Sequence, residues 1–328
     1  MDLDILCFNI ATLIAGVFVL DYGADTFLDH TVIVGRRLGI SPTLVALLTA
    51  GAEYEELAVV IAAILQHRSS LALGNLMGSA IASILGAFSL GLLCHPGNME
   101  FDSSAKMYTG ILLSVTTLFV VLAFFNLLNK VTGGILVAVF ALYIISIGYA
   151  IYKGITDPPQ MSDSDSEVEE GENERLLRPL YQHVFQLLVG LCALSLSGYI
   201  IAHSAGTIAD SFKLSGTVFG LTVIAFATTL PEKLLSVLSG FRGQGGIVVA
   251  TTAGSNIFLL TLCVGIVAIA GVPVNGTDTF VLFDLVIVWM SALCFVAVVF
   301  LGPSRTAGLV FLAAYIMFLV LEFTVYKH

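Results

Sequence analysis

Charged side chains are scarce in this sequence of 328 residues. Asp, Glu, Lys and Arg make up 11% of it, against about 25% in soluble domains. The five cysteines include no Cys-x-x-Cys pair, so no disulfide framework can be argued. The sequence also contains nothing that resembles an ATP-binding loop and no pairing of a nucleophile with a general base. These absences argue against a soluble protein, an ATP-driven pump and an enzyme.

Long apolar runs are what the sequence has instead. It is 58% hydrophobic with a mean hydropathy of +1.00, and each run approaches the roughly 20 residues that a spanning helix needs. We therefore predict an all-α polytopic membrane protein with ten transmembrane helices. The first run has no basic stretch before it, so we expect it to be retained. The runs cover residues 4–20, 43–65, 71–94, 107–128, 132–152, 183–203, 214–240, 246–271, 280–301 and 306–325.

An acidic segment at 153–180 divides the chain into two halves, residues 1–152 and 181–328. Seven acidic residues fall within 163–174, and without them the net charge is −10 + 7 = −3. This composition is typical of a disordered, solvated linker. Five apolar runs lie on each side, and an odd number means that the second half inserts upside down relative to the first. Two inverted five-helix repeats are a known transporter architecture.

Basic residues indicate the orientation. With the N-terminus outside or lumenal, eight Lys and Arg residues fall in cytoplasmic segments and four in outer segments, which favours this topology. The acidic linker is then cytoplasmic. The plasma membrane and an organelle membrane such as the vacuole or ER both stay open. The cytoplasmic set is Arg36, Arg37, Lys106, Lys153, Arg175, Arg178, Arg242 and Arg305; the outer set is Arg68, Lys130, Lys213 and Lys327.

Two glutamates lie inside apolar runs. Glu56 belongs to the second run and Glu232 to the seventh, and their numbers differ by 232 − 56 = 176. The same offset aligns Gly78 with Gly254 and Ser79 with Ser255. A carboxylate inside a bilayer costs several kcal/mol by most scales and marks a functional site by default. Two of them in duplicated settings predict one site built by both halves.

These motifs resemble the cation/calcium exchanger superfamily, and its sodium/calcium exchanger type most closely. The second half reads FGLTVIAFATTLPEK at 219–233 and then AGSNIF at 253–258; the first reads LGISP at 38–42, TAGAEYEEL at 49–57 and ALGNLMGSAIAS at 72–83. The resemblance implies that Glu56 and Glu232 face each other at mid-membrane and bind the transported cation. It assigns the same role to the matching Thr228, Thr229, Ser79 and Ser255.

The spacing suits a hard cation, since Ca²⁺ prefers six to eight oxygens at about 2.3–2.6 Å. Thr228 and Thr229 precede Glu232 by four and three residues, so all three share a helix face. Glu53 and Glu56 stand in the same relation. Helix breaks, predicted at Gly51 and Pro231, would free backbone carbonyls as further ligands.

Several positions depart from the family pattern. Glu53 stands where the family has serine, and Ser83 and Leu259 stand where it often has Asn or Asp. Three carboxylates close together repel one another, so protons could compete with or replace sodium. Lys233, next to Glu232, is a modulator with three alternatives: it pairs with Glu53 or Glu55, it occupies a cation's place, or it reaches into a cytoplasmic cavity.

The expected function is secondary antiport of Ca²⁺ or a similar cation against Na⁺ or H⁺ by alternating access. The metal site would comprise Glu53, Glu56, Ser79, Ser83, Thr228, Thr229, Glu232 and Ser255. One alternative is proton-coupled exchange of another metal cation, and a second is a non-transporting scaffold or sensor that retains the fold. We expect inorganic cations and lipid as partners, no nucleic acid and no cofactor; the oligomeric state stays open. Asp284 and Glu322 are expected at the membrane interface.

Overall fold

The computed structural model describes residues 3–38, 53–95, 101, 103–153, 179–271 and 282–325, and over these residues the chain is helical. Residues 154–178 of the predicted linker at 153–180, the stretch 39–52 with Gly51, and the loop 272–281 lie outside the described residues. In chain order the helices are α1 (Leu3–Arg37), α2 (Tyr54–Leu65), α3 (Ser69–Cys94), α4 (Ser103–Phe124), α5 (Lys130–Tyr152), α6 (Leu180–Phe212), α7 (Gly216–Thr228), α8 (Leu230–Phe241), α9 (Gly245–Ala270), α10 (Leu282–Leu301) and α11 (Arg305–Thr324).

The helix bounds recur along the chain. Helix α2 begins at Tyr54 and α8 at Leu230, and 230 − 54 = 176. Helix α3 begins at Ser69 and α9 at Gly245, again 176 residues later. This is the offset that aligns the two glutamates in the sequence. The two halves therefore form their central helices at matching positions, although their inverted relation in a bilayer stays a prediction.

Helices α1 and α6 are much longer than the apolar runs that predicted them. They contain 35 and 33 residues and pack antiparallel, with Thr12 Oγ1 2.9 Å from Ser204 Oγ. Small residues allow this close packing: a side chain on Gly23 would meet the backbone nitrogen of Leu194 at 2.8 Å. Asp21, Asp25 and Asp29 therefore lie within a continuous helix, where hydropathy alone predicted a helix end.

The centre of the molecule consists of α3, α7 and α9. The spanning stretch of α3 is 89% buried and that of α9 72%, against 17% for α5 on the outside. Helix α3 approaches α7 so closely that a Cβ on Gly78 would lie 2.3 Å from the carbonyl oxygen of Leu221. All three central helices contain π-helical turns, at Ala82–Phe88, Gly220–Ile224 and Leu259–Cys263. Such turns often occur at functional sites.

Large apolar side chains cover the outer faces. Phe18, Val131 and Leu301 are among those exposed, with up to 87% of the side chain accessible. Eight helices within the described residues are long and apolar enough to cross a membrane, and the number is nine if α7 and α8, which meet at a bend of 48°, count as one span. The stretch 39–52 before α2 lies outside the described residues, so the predicted total of ten spans stays a prediction.

Candidate cation site

A break between α7 and α8 shapes the site. Helix α7 ends at Thr228, Thr229 leaves helical geometry with ψ of 10°, and α8 begins at Leu230. Pro231, in the first turn of α8, has no N–H to donate to the preceding turn, which explains why the helix breaks here. The break predicted at Pro231 is therefore present. It places Glu232 in the first turn of a new helix that starts inside the protein.

Two carboxylates from different halves meet at one hydroxyl. Ser255 Oγ of α9 lies 2.5 Å from Oε1 of Glu232 and also within hydrogen-bonding distance of Oε1 of Glu53. Glu53 immediately precedes α2, and Glu232 belongs to α8. A serine hydroxyl carries one hydrogen, so it can donate to only one carboxylate at a time. The second contact requires a proton on a carboxyl group or a cation between the oxygens.

Glu56 is a fully buried carboxylate of the predicted ligand set. Its side chain has no solvent exposure, and neither of its oxygens has a hydrogen-bond partner among the described residues. It lies beside Glu232, Glu53 and Thr228. A buried polar group without a partner is unusual in a folded protein and calls for an explanation such as a bound ion or water. Glu56 therefore joins Glu53 and Glu232 in one carboxylate cluster.

The remaining predicted residues are buried, but not all of them join this cluster. The Thr228 hydroxyl donates to the carbonyl of Ile224 at 3.1 Å, and that of Thr229 to Ala225 at 2.5 Å. Ser79 and Ser83 of α3 are buried, and their hydroxyls have no hydrogen-bond partner among the described residues. The structure thus brings Glu53, Glu56, Glu232, Thr228 and Ser255 together. Their role as ligands stays a prediction.

Lys233 contacts a hydroxyl and a backbone carbonyl. Its ammonium donates to the hydroxyl of Thr229 and, at 3.3 Å, to the carbonyl of Phe226. It also lies 4.6 Å from the centre of the Phe226 ring. No carboxylate of the described chain forms an ion pair with it, so the predicted pairing with Glu53 or Glu55 is not found. A buried ammonium instead takes a hydroxyl that the sequence assigned to the transported cation.

Two buried asparagines were missing from the predicted site. Asn75 of α3 is fully buried, and neither end of its amide has a partner among the described residues. Asn256 of α9 is also fully buried, and its Oδ1 lacks a partner within the described residues while its Nδ2 donates to Thr252. A carboxamide oxygen is a good ligand for a hard cation. The sequence did contain a signal for them, because an Asn lies near the small residues of each motif.

The cluster does not form a metal cage by itself. Among the described residues no three His, Cys, Asp or Glu side chains converge so as to hold a metal ion. A cation here would need further oxygens from hydroxyl, carboxamide or backbone groups. Candidate oxygens without a hydrogen-bond partner among the described residues belong to Glu232 on α8, Asn256 on α9 and Ser79 on α3.

Comparison with known proteins identifies the family of the chain. The family model described as sodium/calcium exchanger protein matches residues 8–148 and 182–324. The chain belongs to this family. As a member of the sodium/calcium exchanger family it is a multi-pass integral membrane protein, consistent with its apolar helices. Exchangers are transporters, which agrees with the expectation that the protein is not an enzyme. The resemblance noted in the sequence is confirmed over both halves.

Individual relatives of this exchanger-family protein span nearly the whole chain. A putative antiporter, CaxA of Alkalimonas amylolytica, is 29% identical over 276 residues, which cover 82% of this chain and 84% of the relative. The sodium/calcium exchanger MaX1 of Methanosarcina acetivorans is 25% identical and covers 96% and 98%. The fold resembles that of the sodium-calcium exchanger NCX_Mj, with a TM-score of 0.60, 19% identity and coverage of 95% and 97%.

Proposed function

We propose that this protein is a secondary antiporter that exchanges Ca²⁺, or a similar cation, for Na⁺ or H⁺. The observation that carries the proposal is Glu56, whose carboxylate is fully buried beside Glu53 and Glu232 and forms no ion pair within the described residues. Taking an unpaired carboxylate out of water costs at least several kcal/mol. A cation that binds there removes this penalty and gains strong electrostatic attraction in a medium of low dielectric constant.

The position of the cluster supports exchange between the two sides of the membrane. Glu53 and Glu56 belong to the first half of the chain, while Glu232 and Ser255 belong to the second. A site between two inverted repeats can open to one side and then the other as the halves rock against each other. We infer that ions bind near the middle of the bilayer by such alternating access, in a protein of ten spans with its N-terminus outside.

The shared hydroxyl supports coupling to either a monovalent cation or a proton. Because Ser255 can donate to only one of Glu53 and Glu232, the cluster needs a proton or a cation even when Ca²⁺ is absent. Either Na⁺ or H⁺ can fill this role. Proton coupling is the second candidate, and the additional carboxylate of Glu53 favours it.

Ion-gradient-driven uptake of ⁴⁵Ca²⁺ into proteoliposomes tests the proposal. We expect uptake driven by an outward Na⁺ or H⁺ gradient, and loss of at least 90% of it in Glu56→Gln and Glu232→Gln, since each removes a cation's charge partner. Glu322→Gln is the matched control, because it neutralises a buried carboxylate on α11 outside the cluster. Full uptake by both cluster variants would refute the site. Absence of uptake by the wild-type protein for any cation tried would favour the scaffold alternative.

A further inference from the structure

A pair of histidines lies at one end of the α1–α6 contact, away from the carboxylate cluster. Nδ1 of His30 and Nδ1 of His183 are 3.0 Å apart, and their ring centres are 5.2 Å apart at an angle of 47°. His183 is almost fully buried, and His30 is half-buried. His30 belongs to the first helix of the first half, and His183 to the first helix of the second half.

The geometry of the two rings suits a shared ligand. At 3.0 Å one nitrogen donates a hydrogen and the other accepts it, and which ring donates depends on the tautomers. The lone pair of a neutral imidazole is a common metal ligand. Zinc–nitrogen bonds measure about 2.0–2.1 Å, so two nitrogens at a tetrahedral angle lie about 3.3 Å apart. To bind one ion, the rings would need to separate by a few tenths of an ångström, release the shared hydrogen and turn so that both Nδ1 lone pairs point to one position.

Space for the remaining ligands is present beside the rings. A cavity of about 510 Å³ is lined by both histidines together with Tyr181, Gln182, Phe185 and Gln186. Gln186 follows His183 by three residues on α6, so its carboxamide lies on the same helix face. Water from the cavity or this carboxamide oxygen can complete a coordination shell of four. Neither Glu56 nor Glu232 lines the cavity.

We propose that His30 and His183 form a binding site for a divalent transition-metal ion, with Zn²⁺ as the natural occupant. Imidazole nitrogen favours zinc, copper and nickel, whereas Ca²⁺ and Na⁺ prefer oxygen. The site is therefore chemically distinct from the carboxylate cluster. The bound ion links α1 directly to α6, and so joins the two halves of the chain.

Zinc binding to the purified full-length protein tests this inference without any transport measurement. Isothermal titration with Zn²⁺ should show one site that His30→Ala weakens at least tenfold, and Zn²⁺ should raise the melting temperature of the wild-type protein but not of this variant. His203→Ala is the matched control: His203 is exposed on the same helix as His183 and stacks on Tyr199. It should bind Zn²⁺ like the wild type.

A spectroscopic measurement covers the case in which a variant folds poorly. Cu²⁺ bound to the wild-type protein should give an electron paramagnetic resonance spectrum with hyperfine coupling to two imidazole nitrogens, and His30→Ala should leave one. Because His183 is buried, His183→Asn serves as the second variant, with its melting temperature measured without metal. Absence of stoichiometric binding in the wild type would overturn the inference. Equal affinity in His30→Ala would do the same, because the metal would then lie elsewhere, for example on the cysteines.

Discussion

Replacing Lys233 by leucine tests whether a fixed ammonium limits cation binding. Lys233 is buried and donates to Thr229, and Thr229 precedes Glu232 by three residues. Side chains at this spacing have Cβ atoms about 5–6 Å apart. Taking this spacing of roughly 6 Å as the order of the distance from the ammonium to a cation on Glu232, the repulsion at an effective dielectric constant of 20 is about 3 kcal/mol for a monovalent cation and about 5.5 kcal/mol for Ca²⁺. Removing it should strengthen the binding of a monovalent cation by about 100-fold and that of Ca²⁺ by more.

The assay is ⁴⁵Ca²⁺ uptake into proteoliposomes as a function of Ca²⁺ concentration. Lys233→Leu should reach half-maximal uptake at a concentration at least tenfold lower than the wild type. Lys233→Arg keeps the charge and should resemble the wild type. Lys153→Leu removes an exposed lysine and should change nothing. If Lys233→Leu and Lys233→Arg give the same half-saturation, charge is not what limits binding and the reasoning is wrong.

Three further predictions concern the same core. Ser255→Ala removes the hydroxyl shared by the two carboxylates and should weaken Ca²⁺ uptake about 10- to 100-fold, since hydrogen bonds to charged groups contribute about 1.5–3 kcal/mol. The control is Ser195→Ala, at an exposed serine. Equal Ca²⁺ affinity in both variants would contradict a role for Ser255 in the site. Gly78→Ala should lower the melting temperature, because its Cβ would lie 2.3 Å from the Leu221 carbonyl, whereas Gly110→Ala meets nothing within 4 Å and should not. Acidification should raise the Ca²⁺ concentration for half-maximal uptake, because protonated carboxylates lose their charge; uptake that ignores an imposed pH gradient would count against proton coupling.

Local patterns predicted the parts of the fold that depend on local chemistry. The position of Pro231 predicted a break, and the structure has it next to Thr229. The repeated motifs predicted that Glu56 and Glu232 come together, and the structure places them as neighbours. Hydropathy failed at α1, where it predicted a helix end near Asp21. The tight contact with α6 continues the helix through that polar stretch, and no local window of sequence contains the partner.

Long-range packing also determines the surroundings of two acidic side chains. Asp284 and Glu322 were expected at the membrane interface because each lies near a helix end. Both are buried by neighbouring helices, and they share a side-chain hydrogen bond between α10 and α11, while their position at the membrane interface stays a prediction. A sequence gives the distance of a residue from a helix end, but it does not give the neighbour that covers it. The same reasoning applies to Lys233: one of its three alternatives paired it with a carboxylate, and its ammonium contacts Thr229 and Phe226 instead.

The charge of the core argues for a specific relation between Lys233 and the counter-ion. Glu53, Glu56 and Glu232 contribute three negative charges when ionised and Lys233 one positive charge, so the sum is −3 + 1 = −2. A single Ca²⁺ neutralises this sum, and so do two monovalent cations. An ammonium fixed to the protein therefore replaces one exchangeable ion, and we expect exchange of one Ca²⁺ for two monovalent cations with no net charge moved. In Lys233→Leu the sum becomes −3, which a third monovalent cation would balance, and exchange should then carry current across the membrane.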